Sequence, residues 1–299
     1  MPAEFLTRQG NNLPGRNPGF RPRYQGEPMI RFSATLTCRY DTLFSPFTVN
    51  KLEQGLAWLA QSGFDAAELC INDYEEMNIA RLKQRLDRYG LGCTTIATGQ
   101  ARKRDGLSLL SGGRAIVERT RQRLSEHIDA AAQLASHVTI GSLRATDRNL
   151  SKTQYMHELA EAMQPCVEQA RKCGVTLVIE ALNRYEMAHL HSAEDMMEFL
   201  TLSDAPENVG VLWDIFHANI EDRDFAGAID TLGSRLKHVH FADSNRAFPG
   251  YGHLPIDDIY RTLKNSGYNH AVSLECLCVP STQTLIEEAG PLITRLRGL

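Results

Sequence analysis

Eight short apolar runs alternate with segments of helical periodicity along this chain, and this alternation is compatible with few folds. Apolar runs of this length are typical of parallel strands buried on both faces, and each such strand needs a crossover before the next one. We predict that the strands span residues 31–38, 65–71, 91–98, 137–140, 175–180, 209–214, 237–241 and 271–275.

The segments between these runs have the three- and four-residue apolar spacing of helices that pack on a sheet. Leu52, Leu56 and Leu59 follow this spacing, and the helix is predicted to end at Gly63. Eight strands alternating with helices fit one closed α/β barrel, a single (β/α)8 TIM barrel, better than an open doubly wound sheet. No G-x-G-x-x-G motif follows a strand, which argues against a dinucleotide-binding fold.

The first 28 residues differ from the rest, because glycine, proline and asparagine interrupt every periodic pattern there. The sequence therefore predicts an irregular N-terminal arm over 1–28 and one catalytic barrel domain over 29–299. We interpret the arm as a flexible tail or as the product of an upstream start codon, with the working chain beginning at Met29. The alternative is an arm that packs on a neighbouring subunit.

Composition limits the classes of partner and the compartment. The formal net charge is −4 and the pI is about 6.2, which disfavours binding to nucleic acid phosphates. The seven cysteines form no C-x-x-C pair, and reduced thiols in a cytoplasmic protein are the natural interpretation. The sequence shows neither an apolar signal core nor a run long enough to span a membrane.

Polar residues end four consecutive apolar strands. Glu180, Asp214, His240 and Glu275 come at the ends of the fifth to eighth predicted strands. In a parallel barrel these ends share one rim, the C-terminal face, where barrel enzymes carry out their chemistry. The predicted loops 99–113 and 243–254 lie at the same face because each follows a strand.

Three carboxylates gathered at one rim beside an imidazole repel one another unless a cation lies between them. The sequence therefore predicts one divalent metal ion, held by Glu180, Asp214, His240 and Glu275. This ligand set favours Mn²⁺, with Co²⁺, Mg²⁺ or Zn²⁺ as alternatives.

Five stretches around these residues form a recognisable set of motifs: EALNRYE (180–186), WDIFH (213–217), HVHFADSNR (238–246), PGYGH (249–253) and SLE (273–275). The set resembles the xylose-isomerase-like barrel superfamily. Within it, the chain is most similar to ketose 3-epimerases of the D-tagatose 3-epimerase type and to their sugar-phosphate isomerase/epimerase relatives. The resemblance extends from Met29 to the C-terminus.

The resemblance implies a metal-dependent isomerase or epimerase of a sugar or sugar phosphate, active as a homodimer or homotetramer. Glu180 and Glu275 would be the catalytic pair, one removing a proton and the other returning it through a metal-stabilised cis-enediolate. Four further residues would bind the substrate: His217 and Arg246 at the oxygens that gain negative charge, Glu186 near the terminal hydroxyl, and His253 in the site wall.

Several of these residues have a purely structural interpretation as well. Glu186 could instead pair with nearby Arg184 at the surface, and His217 could be an ordinary surface histidine. For the remaining polar residues the structural interpretation is favoured: we expect a packed barrel histidine at His238, a rim or structural acid at Glu68, and solvent-exposed loop residues at His189 and His191.

Other activities share this barrel and metal set. A hydroxypyruvate-type acid or a ketose phosphate needs an anion handle, for which the candidates are Arg102, Lys103, Arg104 and Arg144. An inosose dehydratase-like lyase would use the same acids. An apurinic-site endonuclease would need further metal ligands on strands two to four, but Thr98 ends strand three and Gly141 follows strand four. A non-catalytic sugar-binding protein would not need two opposed glutamates.

Overall fold

The structure is a computed structural model that describes residues 29–299. The predicted irregular arm, residues 1–28, lies outside the described residues. Within the described part the chain forms a closed barrel of eight parallel strands, which pair in chain order. The single (β/α)8 barrel predicted from the alternating apolar runs is therefore confirmed.

All eight predicted strands are present in residues 29–299, with ends that differ from the prediction by at most two residues. The strands are β1 (Arg31–Thr37), β2 (Ala66–Cys70), β3 (Gly92–Ala97), β4 (His137–Ile140), β5 (Leu177–Glu180), β6 (Val209–Asp214), β7 (Leu236–Phe241) and β8 (Ala271–Leu274). Every residue of β2 and β6 is buried. This is expected of strands covered by helices outside and by side chains inside the barrel.

Ten α-helices join or flank these strands in the described range. They are α1 (Leu52–Gln61), α2 (Ile79–Arg88), α3 (Gly99–Asp105), α4 (Gly113–Leu134), α5 (Lys152–Cys173), α6 (Ala193–Leu202), α7 (Ile215–Glu221), α8 (Phe225–Leu232), α9 (Ile256–Asn265) and α10 (Thr282–Arg297). Short 3₁₀ turns cover Val49–Lys51, Ser142–Arg144 and Gly233–Arg235.

Local sequence sets the ends of these helices. Ser151 and Gln154 form a reciprocal capping box at the start of α5, which ends at Gly174 in the left-handed conformation. The prediction of a loop over 99–113 is wrong in part, because α3 occupies its first half. Its sequence has no apolar periodicity, and only Ala101 of the helix is buried, so no pattern announced it.

No helix within residues 29–299 combines the length and the apolar composition needed to cross a membrane.

Candidate active site

The barrel brings the four predicted rim residues together. Glu180 and Asp214 are the last residues of β5 and β6, His240 lies in β7, and Glu275 directly follows β8. Asp214 and His240 are direct neighbours in the β6–β7 register. The Nδ1 atom of His240 lies 3.8 Å from Glu180 Oε1, 4.0 Å from Asp214 Oδ2 and 3.7 Å from Glu275 Oε2.

This group is electrostatically frustrated without a cation. Burial, followed by repulsion from Glu275, raises the pKa of Glu180 to about 8. Burial likewise raises the pKa of Glu275 to about 7 and lifts the pKa of Asp214 above its ordinary value. Asp214 Oδ2, His240 Nδ1 and Glu275 Oε2 are buried and find no hydrogen-bond partner among residues 29–299.

The donor set fits a divalent metal ion. One ligand atom from each of the four residues lies within 4.8 Å of the other three. Opposite ligands of a cation with metal–ligand bonds of about 2.0–2.2 Å are about 4 Å apart, which matches this spacing. The unpartnered oxygens and nitrogen are the atoms that such an ion would satisfy.

Glu68 supports the site from inside the barrel. Its Oε2 accepts hydrogen bonds from His238 Nε2 at 2.9 Å and from His240 Nε2 at 3.1 Å, and all three side chains are fully buried. Burial favours the neutral acid, but the two imidazoles outweigh it and hold the pKa of Glu68 below its ordinary value. Glu68 and His238, which we expected to be structural residues, thus share one hydrogen-bond network with His240, a candidate metal ligand.

His217 is a buried residue of α7, so the surface alternative is wrong. The backbone N–H of Asn183 donates to its Nδ1 at 3.3 Å. The ring proton therefore belongs on Nε2, which lies 3.9 Å from Glu180 Oε1 and 3.7 Å from Asp214 Oδ2. Burial, reinforced by Arg246, depresses the pKa of His217 and keeps the ring neutral. His217 thus presents an N–H donor to the site.

Arg246 and Glu186 form one unit at the mouth of the site. Arg246 Nη1 donates to Glu186 Oε1 at 3.0 Å, and its Nη2 lies 3.6 Å from Glu275 Oε2. The guanidinium also lies over the rings of Phe44 and Phe216, at 4.8 and 4.9 Å from their centroids. The alternative salt bridge between Glu186 and Arg184 does not form, because Arg184 pairs with Glu221 instead.

Two residues near the site carried no clear sequence signal for the roles that the structure gives them. A Cβ added to Gly141 would lie 2.3 Å from Glu180 Oε2, so only glycine leaves room for that carboxylate. Arg144 is fully buried and donates to the backbone carbonyls of Glu180, His189 and Leu190 at 2.7 to 3.0 Å. Arg144 is therefore a structural residue, and its place in the suggested anion handle is wrong.

Three histidines lie apart from the acids. His253, predicted to bind substrate, is an exposed residue whose Nδ1 contacts Ser244 Oγ at 2.9 Å, and it does not line the cavity above the acids. His189 and His191 are half-buried rather than solvent-exposed, and each donates to a backbone carbonyl, those of Leu150 and Leu182.

A cavity of about 460 Å³ opens above the acids, a size typical of small-molecule sites. Glu180, Glu275 and His240 line it together with Arg246 and Glu186. The β3 side contributes further lining residues, which are Thr98, Gly99, Gln100, Arg102 and Lys103. The cavity can therefore hold a polar molecule in contact with both glutamates.

Several known proteins are similar to this chain in sequence and in fold. The D-psicose 3-epimerase of Ruminiclostridium cellulolyticum is 29% identical over 226 residues, covering 73% of this chain and 75% of that protein. The L-ribulose 3-epimerase of Mesorhizobium japonicum is 29% identical over 230 residues, with 76% and 75% covered. The crystal structure of a D-psicose 3-epimerase with D-tagatose from Clostridium cellulolyticum superposes with a TM-score of 0.74 at 23% identity, covering 90% and 99% of the two chains.

The family described as xylose isomerase-like TIM barrel matches residues 56–294, which include every candidate ligand and both glutamates. With its closed barrel and its rim of acids, the chain belongs to the xylose isomerase-like TIM barrel family.

Proposed function

We propose that the protein is a divalent-metal-dependent ketose 3-epimerase in which Glu180 and Glu275 transfer the proton. The named relatives are sugar epimerases, and the chain is accordingly an enzyme that acts on carbohydrates. The observation that carries the finer proposal is the placement of two buried glutamates, from β5 and from the end of β8, around one imidazole in one cavity.

Glu180, Asp214, His240 and Glu275 would hold the metal ion, and three carboxylates with one imidazole favour Mn²⁺. When bound, the ion supplies a Lewis acid that stabilises negative charge on the substrate's oxygens. β5 and β8 are three strands apart around the barrel, so their glutamates approach a substrate from different sides. One glutamate removes the proton from carbon 3 and the other returns a proton to the opposite face, which inverts that carbon.

The remaining residues orient the substrate and stabilise charge. The Nε2–H of neutral His217 lies buried beside Glu180 and Asp214, because its Nδ1 already accepts from Asn183, and from there it would donate to a substrate oxygen bound next to these acids. Arg246, fixed by Glu186 and by two aromatic rings, places a positive charge beside Glu275. A rigid donor of this kind stabilises developing negative charge at little reorganisation cost.

Deuterium incorporation from heavy water tests the proposal. Mn²⁺-loaded protein is incubated with a panel of ketoses, ketose phosphates, hydroxypyruvate and inosose, and exchange is followed by NMR together with product analysis. We expect exchange at carbon 3 of a ketose and formation of its 3-epimer. Exchange with hydroxypyruvate alone, or loss of water from inosose, would replace the proposal by isomerase or dehydratase chemistry.

Glu180→Gln and Glu275→Gln test the two-base assignment. Each change removes a proton-transfer group, so kcat should fall by about 10²- to 10⁴-fold while the circular dichroism spectrum is retained. Glu118→Gln, which alters an exposed salt bridge to Arg121, is the matched control and should keep wild-type activity. Wild-type epimerisation in either active-site variant contradicts the two-base mechanism.

A further inference from the structure

The charged residues that line the cavity lie on two sides of it. Glu180 ends β5 and Glu275 follows β8, with Arg246 paired to Glu186 beside them, whereas Arg102 and Lys103 belong to α3, which follows β3. Because the eight strands close in chain order, β3 stands opposite β7. Arg102 and Lys103 therefore face the cavity from the side opposite the candidate metal ligand of β7.

The other charged residues of α3 are already engaged. Arg104 lies over the ring of Tyr40 at 4.4 Å from the centroid, and Asp105 accepts from Arg123 Nη1 at 2.9 Å. Within residues 29–299, by contrast, Arg102 and Lys103 form no salt bridge, although both line the cavity. Arg102 is half-buried and Lys103 is exposed, so both remain available to a ligand.

The same wall offers polar groups suited to a sugar. Gln100 donates through Nε2 to the carbonyl of Tyr40 at 2.7 Å, while its Oε1 is buried and has no hydrogen-bond partner in the described part of the chain. Ser142 adds a hydroxyl at the cavity surface. A ligand hydroxyl donating to Gln100 Oε1 would satisfy that acceptor.

We propose that the substrate is an anionic ketose, carrying a phosphate or carboxylate at the end away from its carbonyl, and that Arg102 and Lys103 bind this group. The inference rests on the proposed function and narrows its substrate class. The proposed metal ion would neutralise the rim acids, and Arg246 is already paired with Glu186, so Arg102 and Lys103 are the lining cations in the described part of the chain that remain to attract an anion. An anionic end thus fixes the substrate with its carbonyl toward Glu180 and Glu275.

Binding and exchange measurements on the same protein test this proposal. Isothermal titration with a hexitol, its 6-phosphate and the corresponding hexonate reports recognition alone, because none of the three has a ketone or an aldehyde and none can react. Deuterium exchange then compares a free hexulose with its 6-phosphate and with the matching hexulosonate. We expect kcat/KM for one of the two anionic ketoses to exceed that for the neutral ketose by about tenfold to hundredfold.

The double variant Arg102→Gln/Lys103→Gln should reduce that preference at least tenfold and weaken binding of the preferred hexitol phosphate or hexonate in parallel. Arg104→Gln removes a neighbouring charge that does not line the cavity, so it should change neither. Whichever of the two ligands, hexitol phosphate or hexonate, binds more tightly identifies the substrate's anionic group as a phosphate or a carboxylate.

Equal kcat/KM for neutral and anionic ketoses, or an unchanged preference in the double variant, overturns the inference while the proposed epimerase function stands. Absence of exchange with every ketose overturns the proposed function itself. In that case, tight binding of the hexitol phosphate that depends on Arg102 and Lys103 still establishes the anion site.

Discussion

The carboxylate of Glu68 holds the imidazole of His240 in one orientation, accepting from its Nε2 at 3.1 Å inside the barrel. A proton on Nε2 leaves the lone pair of the neutral ring on Nδ1, which faces the three rim acids. Histidines that bind metals commonly have such a carboxylate partner, which fixes both the tautomer and the ring orientation.

Glu68→Gln should weaken Mn²⁺ binding by about tenfold to hundredfold. The amide has one oxygen with which to accept and adds N–H donors facing two imidazoles, so the orientation of His240 is no longer fixed. Isothermal titration with Mn²⁺ measures the effect directly and needs no substrate. Glu118→Gln again serves as the surface control, and equal Mn²⁺ affinity in Glu68→Gln and wild type would rule out this positioning role.

Gly141→Ala should reduce both turnover and Mn²⁺ affinity. The new methyl group would lie 2.3 Å from Glu180 Oε2, well inside van der Waals contact, so the carboxylate must move. Misplacement of a catalytic group by about 1 Å costs on the order of 10²-fold in rate. Gly92→Ala is the comparison, because the atom nearest to its added Cβ, Ala66 Cβ, lies at an ordinary 3.8 Å and Gly92 does not line the cavity. Similar activity in both variants would contradict the crowding argument.

Stabilisation by Mn²⁺ should increase with pH. Without metal, burial and repulsion raise the pKa of Glu180 to about 8 and burial raises that of Glu275 to about 7. When the pKa of a group is higher in the folded state than in the unfolded state, the group contributes stability that is fully present below its unfolded pKa, which is about 4.3 for glutamate. That contribution is lost as pH rises through 7 to 8, while metal binding requires the ionised acids.

The Mn²⁺-induced rise in melting temperature should therefore be larger at pH 8 than at pH 6, with a Kd that falls by more than about tenfold per pH unit between them, because Glu180, Glu275 and His240 all lose protons on metal binding. Differential scanning calorimetry with and without EDTA measures the shift in melting temperature, and Asp214→Asn should abolish most of it.

We also expect EDTA to inactivate the enzyme and Mn²⁺ or Co²⁺ to restore its activity. Full activity after exhaustive chelation contradicts the metal requirement.

Arg144→Met should lower the free energy of unfolding by about 3–5 kcal/mol. The guanidinium satisfies three buried carbonyls and also donates to Tyr155 Oη at 3.0 Å, and all of these groups lose a donor in the variant. Urea unfolding measures the change. Arg148→Gln, which breaks an exposed pair with Glu158, should cost less than about 1 kcal/mol. Comparable losses in the two variants would contradict the structural role of Arg144.

The barrel, its eight strands and the meeting of four rim residues could all be predicted from the sequence pattern. Apolar runs that need crossovers are arranged in few ways, and parallel strands bring their C-terminal ends to one edge of a closed sheet. Once Glu180, Asp214, His240 and Glu275 each ended a run, their proximity followed from topology alone. Helix α3 escaped prediction because nearly all of its residues are polar or exposed.

The sequence pattern did not distinguish the polar residues that serve the site from those that serve the fold, whereas the folded structure does. Glu68 and His240 are 172 residues apart in the chain, yet they meet inside the barrel. Gly141 matters because the Glu180 carboxylate of the next strand fills the space beside it. Arg144 is buried and donates its hydrogen bonds to backbone carbonyls, so it is not available to bind an anion. The burial and partners of a side chain are set by neighbours distant in sequence, so local pattern cannot reveal them.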